Sequence, residues 1–263
     1  MADHSSWQVP TYRKDELAPK RSKYCVCIPV INEGTKLTKQ LKRMRDLQLD
    51  PDVIIADGGS TDGSTHPDLL RELGVRTLLT KTGPGKLSAQ MRMFFAYAIE
   101  EGYEGIVTID GNGKDGVDAI PRFCDALAEG FDFVQGSRYV PGGVAVNTPL
   151  DRHIGLKLLH APVISLASRF HYTDTTNGFR AFSSRFLLDP KVQPFRDVFD
   201  TYNLHYYLSI KAPRLGYRVK EIPVTRSYPK TGPTPSKISG VSGKLKIIQL
   251  LFKSAAGHYD PQP

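Results

Sequence analysis

The 263-residue chain has a formal net charge of +8, with 40% hydrophobic and 24% charged residues, the balance of one globular domain with elaborations. No run approaches the roughly 20 apolar residues of a membrane-spanning helix, and the polar segment 1–23 lacks the apolar centre of a signal peptide, so a cytoplasmic protein is expected. The cysteines Cys25, Cys27 and Cys124 are an odd set without the second ligand pair of a zinc site, and they read as small core residues.

After the polar arm, residues 24–31 form an apolar run bounded by turn residues, which predicts a buried strand followed by a helix over about 35–47. Residues 53–56 predict a second strand, closed by the turn-rich loop Asp57-Gly-Gly-Ser-Thr-Asp-Gly63. Residues 67–73 read as helix, 75–79 as strand and 87–101 as a helix with apolar positions at helical spacing. A fourth strand, 105–109, runs straight into Asp110. Strands alternating with helices imply an α/β domain with a mostly parallel central sheet, and such sheets bind ligands beyond the carboxyl ends of their strands. The polar loops after Ile31, Ala56 and Ile109 are therefore expected along one edge.

Beyond the strand-like run Phe133-Val-Gln-Gly-Ser-Arg138 the alternation weakens. A Pro/Gly-rich loop at 141–149 precedes a predicted helix over 151–169, and a helix around 204–208, a strand at 218–224, a proline-rich loop and an amphipathic helix complete the chain. No linker divides it, so the expected organisation is an arm at 1–23, one domain at 24–238 and a basic amphipathic segment at 239–263. Between Lys211 and Lys253 the only acidic residue is Glu221 against ten lysines and arginines, a field that attracts anionic lipid or substrate phosphate. Nucleic acid is disfavoured, because no helix-turn-helix, RNP or zinc-finger pattern accompanies the charge. The lysines and bulky apolar residues of 244–253 suit either a helix lying in a membrane interface or one packed on the domain.

The loop Asp110-Gly-Asn-Gly-Lys-Asp-Gly-Val-Asp118 carries the strongest chemical signal. An acid at the end of a buried strand, with Asn112 two positions on, offers oxygen ligands to a hard cation such as Mg²⁺ or Mn²⁺. Gly111 and Gly113 let the backbone approach a diphosphate. The same residues also make an ordinary Asx turn.

Pro29-Val-Ile-Asn-Glu33, Asp57-Gly-Gly-Ser-Thr-Asp-Gly63 and Asp110-x-Asn112, in this order, resemble the successive signatures of family 2 glycosyltransferases, which have the Rossmann-like, nucleotide-sugar-binding GT-A fold. Gly136-Ser-Arg-Tyr-Val-Pro-Gly-Gly143, Asp174-Thr-Thr-Asn-Gly-Phe-Arg-Ala181, Glu221-Ile-Pro-Val224 and Ser236-Lys237 are similar to the polyprenyl-phosphate branch, which includes dolichyl-phosphate mannose synthases. The resemblance covers roughly 24–237. It implies inverting transfer of a sugar from a GDP- or UDP-sugar to dolichyl or undecaprenyl phosphate, at the cytoplasmic face of an anionic membrane, with peripheral attachment or a membrane-protein partner. It further implies that Pro29, Val30, Asn32 and Glu33 border the base and ribose, that Asp57 contacts the base, and that Lys86 belongs to the same nucleotide set. Asp110 and Asn112 face the metal and diphosphate, and Arg138 clamps the phosphates. Arg152, Arg180, Lys230 and Lys237 receive the acceptor phosphate, with Arg226 and Lys230 both open as the counterpart of one family arginine.

Departures from the pattern carry expectations of their own. The family's D-x-D-x-Q becomes Asp110-x-Asn112-x-Lys114, which makes the site more positive and predicts weaker metal dependence. His205 and Tyr207 stand where the family often has a Gln/Glu pair. A hydroxyl acceptor would need a general base there, whereas a phosphate acceptor is already ionised. The rival readings are the same fold acting on a glycan or small-molecule hydroxyl, a sugar nucleotidyltransferase, and a non-catalytic nucleotide-binding protein. The nucleotidyltransferase is disfavoured because Asn32-Glu-Gly34 replaces the expected Arg/Lys-bearing glycine-rich loop.

Overall fold

The apolar run near the N-terminus becomes β2 (Tyr24–Val30), the middle of a sheet covered on both faces. Its alternate side chains serve two cores: Cys25 and Cys27 point into one cluster, Val26 and Ile28 into the other, and all four are fully buried. This explains why the strand reads as a continuous apolar run rather than an alternation. The structure is a computed structural model, and it describes residues 5–230 and 240–261. Lys237 and its neighbour Ser236 lie outside the described residues.

The strands are β1 (Tyr12–Glu16), β2, β3 (Asp52–Asp57), β4 (Val75–Lys81), β5 (Gly105–Thr108), β6 (Phe133–Ser137), β7 (Val144–Val146), β8 (Arg180–Ser183), β9 (Val219–Pro223) and β10 (Thr225–Ser227). The helices are α1 (Thr35–Asp46), α2 (Pro67–Glu72), α3 (Leu87–Glu100), α4 (Ile120–Ala128), α5 (Leu150–Gly155), α6 (Ala161–Ser168), α7 (Ser184–Leu187), α8 (Asn203–Arg214) and α9 (Gly240–Ala255). One sheet runs in the order β1-β4-β3-β2-β5-β8-β6-β9, and β7 pairs with β10 in a separate parallel ribbon. Strands β4, β3, β2 and β5 are parallel neighbours, as are β6 and β9. Only β1 and β8 run against their neighbours, so the expected mostly parallel α/β sheet is what forms.

On one face α3 is buried almost end to end, and its Phe94 and Phe95 join Phe182, Phe186, Leu204 and Leu208 in a core that α9 closes with Leu251. A helix apolar on nearly all sides is a buried helix, which is why its amphipathicity is weak. On the other face α1 presents Leu37, Leu41 and Met44, an i, i+4, i+7 stripe, to β2 and β5.

Four elements depart from the sequence expectation. The segment expected as an arm supplies β1, an edge strand paired to β4, and its Trp7 stacks on Phe195 with ring centroids 3.8 Å apart. Charged residues are what an edge strand carries, so its polarity concealed it. Helix α4 follows the Asp110 loop unannounced, burying Ile120, Phe123, Ala126 and Leu127. The helix expected over 151–169 forms, but its middle, Leu156–His160, is a π-helical turn. Cys124 is only partly buried, unlike the other two cysteines.

Candidate active site

The loops after β2, β3 and β5 meet at one edge of the sheet, held by side chains aimed at backbone. Asp57 ends β3 and is buried; its Oδ1 accepts bonds from Gly59 N (3.1 Å), Ser60 N (2.9 Å) and Ser60 Oγ (2.7 Å), while Thr65 Oγ1 donates to its Oδ2 (3.1 Å). Asn32 follows β2 in the left-handed region (φ 51°) and its Oδ1 accepts from Thr61 N at 2.8 Å. Asp62 accepts from Gly34 N at 2.8 Å and from Ser64, the part of a turn residue that also ties the two loops together. From α3, Gln90 Nε2 donates to the carbonyls of Val30 (3.0 Å) and Ala56 (2.9 Å), pinning the ends of β2 and β3. Pro29 and Glu33 are half-buried beside this edge, and Lys86 is exposed at the start of α3, its backbone N–H donating to Asp200.

Asp110 leaves β5 at the same edge. Gly111 is buried against Val30, where an added Cβ would lie 2.5 Å from Val30 Cγ1, so no larger residue lets the chain turn here. Asp110 Oδ2 accepts from Arg226 Nη2 (3.1 Å) and from Asn112 Nδ2 (3.2 Å). Arg226 also bonds the buried Asp115 through Nη1, and its guanidinium lies 5.8 Å from the Tyr228 ring centroid. Burial alone would raise the Asp110 carboxyl, but the Arg226 charge and hydrogen bond overcome it and hold the group below its usual range. Asp115 goes the other way, raised by burial. Lys114 is buried at 9% exposure with its ammonium 5.2 Å from the Tyr228 ring, and burial, then Arg226, depress its pKa. Two carboxylates and two basic side chains thus cluster at this edge of the sheet, with Arg226 bridging both acids.

Asp110 and Arg226 form the floor of a cavity of about 390 Å³, flanked by the 150–168 helical stretch on one side and α9 on the other. Arg152, Lys244 and Tyr228 stand at its polar side, and Leu156, Leu159, Ile247 and Ile248 line an apolar wall. Lys244 is tied to Asp151 at 3.0 Å, joining α9 to α5. The turn 174–178 closes the cavity from below. A Cβ at Gly178 would sit 2.7 Å from Asp110 Oδ1, so a larger residue there displaces that carboxylate.

Three sequence-predicted site residues sit in distinct environments. Arg138 lines the cavity, and its guanidinium makes a buried bidentate pair with Asp174 (2.6 and 2.9 Å) and bonds Thr176 Oγ1 (3.0 Å), which anchors the 174–178 turn. Arg180 is 2% exposed and donates to the carbonyls of Asn177, His205 and Thr175 and to Ser209 Oγ at 2.8–3.0 Å. Burial pulls it down to about 10, and these bonds brace the turn against α8 at the cavity's edge. Lys230 is exposed and does not line the cavity, whereas Arg226, the other candidate for that position, does. The sequence reading passed over Tyr228 and Lys244 as site residues. Tyr228 carried a local signal, two positions beyond Arg226; Lys244 reaches the cavity only through the docking of α9.

His205 faces this cluster from α8, 9% exposed, with no partner for Nδ1. Burial, then the Arg180 charge, draw its pKa down to about 3, so burial favours the neutral imidazole near neutral pH. The unfolded chain binds a proton at His205 below about pH 6.5 that the folded chain refuses, so stability falls as pH drops through that value toward 3. His205→Asn is expected to shrink the loss of urea stability between about pH 7 and about pH 5. An unchanged loss would show that His205 is not held neutral.

A profile of glycosyl transferase family 2 matches residues 25–192. The undecaprenyl-phosphate mannosyltransferase of Micrococcus luteus is 31% identical over 217 residues, which span 81% of this chain and 86% of that protein. The polyprenol monophosphomannose synthase of Mycolicibacterium smegmatis is 28% identical over 239 residues, 88% and 84% of the two chains. Among solved structures, the glucosyl-3-phosphoglycerate synthase of M. tuberculosis superposes with a TM-score of 0.61 over 91% of this chain and 81% of that one, at 18% identity. The same enzyme has been solved with Mn²⁺, uridine diphosphate and glucosyl-3-phosphoglycerate (TM-score 0.60, 17% identity). Fold and matches together define a glycosyltransferase with the GT-A fold. The chain belongs to glycosyl transferase family 2.

Proposed function

We propose that this enzyme moves a sugar, with inversion, from a GDP- or UDP-sugar to a polyprenyl phosphate at the cytoplasmic face of a membrane. The carrying observation is that one cavity joins a charged floor, Asp110 and Arg226, to an apolar wall, Leu156, Leu159, Ile247 and Ile248. A phosphate on a long hydrocarbon chain matches both halves, whereas a glycan hydroxyl has no use for the wall. The relatives named for undecaprenyl-phosphate and polyprenol-phosphate mannosyl transfer support the same acceptor class. In this reading Pro29, Val30, Asn32, Glu33, Asp57 and Lys86 hold the nucleotide. Arg152 and Lys244 receive the acceptor phosphate, and its ionised oxygen attacks the anomeric carbon in line with the departing diphosphate. No base is required, which agrees with a neutral His205.

Among the described residues no three His, Cys, Asp or Glu side chains converge as a metal site. Mg²⁺ or Mn²⁺ carried in on a diphosphate, however, needs only one or two protein carboxylates. Asp110 Oδ1, which accepts none of the bonds above, and Asn112 meet that minimum and would hold it. Once bound, the ion would neutralise charge on the leaving diphosphate. Because Arg226 already bonds Asp110 and Lys114 lies nearby, metal should bind weakly without nucleotide. Lys114→Gln is expected to lower the Mn²⁺ concentration for half-maximal activity by about 3–10-fold, the effect of one nearby charge at roughly 1 kcal/mol. An unchanged metal response would remove Lys114 from this account.

Transfer of radiolabelled sugar followed by solvent extraction tests the acceptor. Label should enter the organic phase only when polyprenyl phosphate is supplied, and label confined to a water-soluble glycan would defeat the proposal.

A further inference from the structure

Tyr228 directly follows β10, two positions beyond Arg226, and side chains two apart on an extended chain share a face. Both line the cavity. The backbone here is held from two directions. Tyr228 N donates to the Val146 carbonyl (3.0 Å) and the Tyr228 carbonyl accepts from Asn147 Nδ2 (3.2 Å), both at the end of β7. On the other side, Ser227 N donates to the Lys114 carbonyl (2.8 Å) in the loop that begins at Asp110. The Tyr228 side chain is buried, so its ring is fixed where these two stretches meet.

Three basic side chains surround that ring. The Lys114 ammonium lies 5.2 Å from its centroid, the Arg152 guanidinium 5.6 Å and the Arg226 guanidinium 5.8 Å. One comes from the Asp110 loop, one from α5 and one from β10. Arg226 has Asp110 and Asp115 to offset its charge, whereas Arg152 has no ion pair among the described residues. Like charges this close repel, and after burial the charges of Arg226 and Arg152 are among the causes that depress the Lys114 pKa. The negative face of an aromatic ring offsets part of that repulsion. A carboxylate would do so more strongly, but it would also repel an incoming phosphate and a diphosphate. A neutral ring gathers the cations and leaves their charge available to an anion.

We propose that Tyr228 is a positioning residue that acts through Arg152. Its ring face holds the guanidinium beside the Asp110–Arg226 floor, so that the acceptor phosphate is brought in line with the anomeric carbon. The inference rests on the lipid-phosphate acceptor proposed above and adds the side chain that orients the group receiving it.

Steady-state kinetics of the full chain, with farnesyl phosphate as a soluble acceptor and whichever GDP- or UDP-sugar supports transfer, test this. Tyr228→Met is expected to raise acceptor KM about 5–10-fold, what a partly desolvated cation–π contact is worth, while donor KM moves less than about twofold. Tyr228→Phe keeps the ring and should recover most of that loss. In an Arg152→Met background, loss of the ring should add almost nothing, because the group it orients is gone. Additive losses, a donor KM that rises as much as the acceptor KM, or a phenylalanine variant as impaired as the methionine one would each overturn the proposal. If Tyr228→Met fails to fold, Arg152→Lys decides. Lysine keeps the charge but stacks less well on a ring, so acceptor KM should rise about two- to fivefold, and a wild-type value would overturn the proposal. The same Tyr228 and Arg152 cycle read in urea midpoints separates this from the acceptor reading. Coupling in stability, with no wild-type transfer to farnesyl phosphate or to long-chain polyprenyl phosphate, would sink the acceptor reading and leave the ring's hold on Arg152 standing. No coupling in either measurement removes that hold.

Discussion

Arg226→Met is expected to cost about 3–5 kcal/mol of folding stability and to abolish transfer, because it leaves two inward-facing carboxylates without their shared cation. Asp110 and Asp115 both bond this guanidinium, and Asp115 is 5% exposed with one oxygen already lacking a partner. With the guanidinium gone, one of the pair must take up a proton or unfold the loop that holds it. Adding Asp115→Asn should therefore recover much of the stability in denaturant titrations without restoring activity, a coupling that a double-mutant cycle isolates. Arg226→Lys keeps the charge but bonds one carboxylate well rather than two, and should fall between. If Arg226→Met unfolds at the wild-type denaturant concentration, the ion-pair account of the floor is wrong.

The second large effect belongs to Asp110. Asp110→Asn keeps the shape and leaves Arg226 its bond to Asp115, so the fold should persist while kcat falls by about 10²–10³, the range seen when one preorganised electrostatic contact to a leaving group is removed. Gly178→Ala offers an independent check, since its Cβ would press on Asp110 Oδ1 at 2.7 Å and swing the carboxylate away. The two should be alike in sparing nucleoside diphosphate affinity more than turnover. Full kcat in Asp110→Asn would remove this residue from the chemistry.

The parts of the molecule that were readable in the sequence are those whose signal is local. Strands β2, β3, β4 and β5 are short apolar runs ending in Gly, Asp or Asn, and Asp110 stands at the end of the last of them, so both the sheet and its functional edge could be placed from spacing alone. β1 was hidden because its bonding is through the backbone while its side chains are Tyr, Arg, Lys, Asp and Glu. Helix α4 was hidden by its brevity behind a glycine-rich loop. Arg138 and Arg180 show a different limit. An arginine within a motif looks the same whether it meets a ligand or a neighbour, and only three-dimensional contact reveals Asp174 beside one and three backbone carbonyls around the other. The cavity wall was invisible in the same sense, since Leu156 and Leu159 come from one helix and Ile247 and Ile248 from another some ninety positions later.

Strand β8 runs opposite to β5 and β6, between which it lies. Its beginning, not its end, therefore sits at the edge where the other strands finish, and the polypeptide passes the cavity before it enters the sheet. In the proposed reading the nucleotide half comes from the chain before β6, while the acceptor half combines 139–179 with Arg226, Tyr228 and α9. Exchange of 139–179 together with α9, whose Lys244 pairs with Asp151, is therefore the graft that would change the acceptor side while leaving the donor half in register.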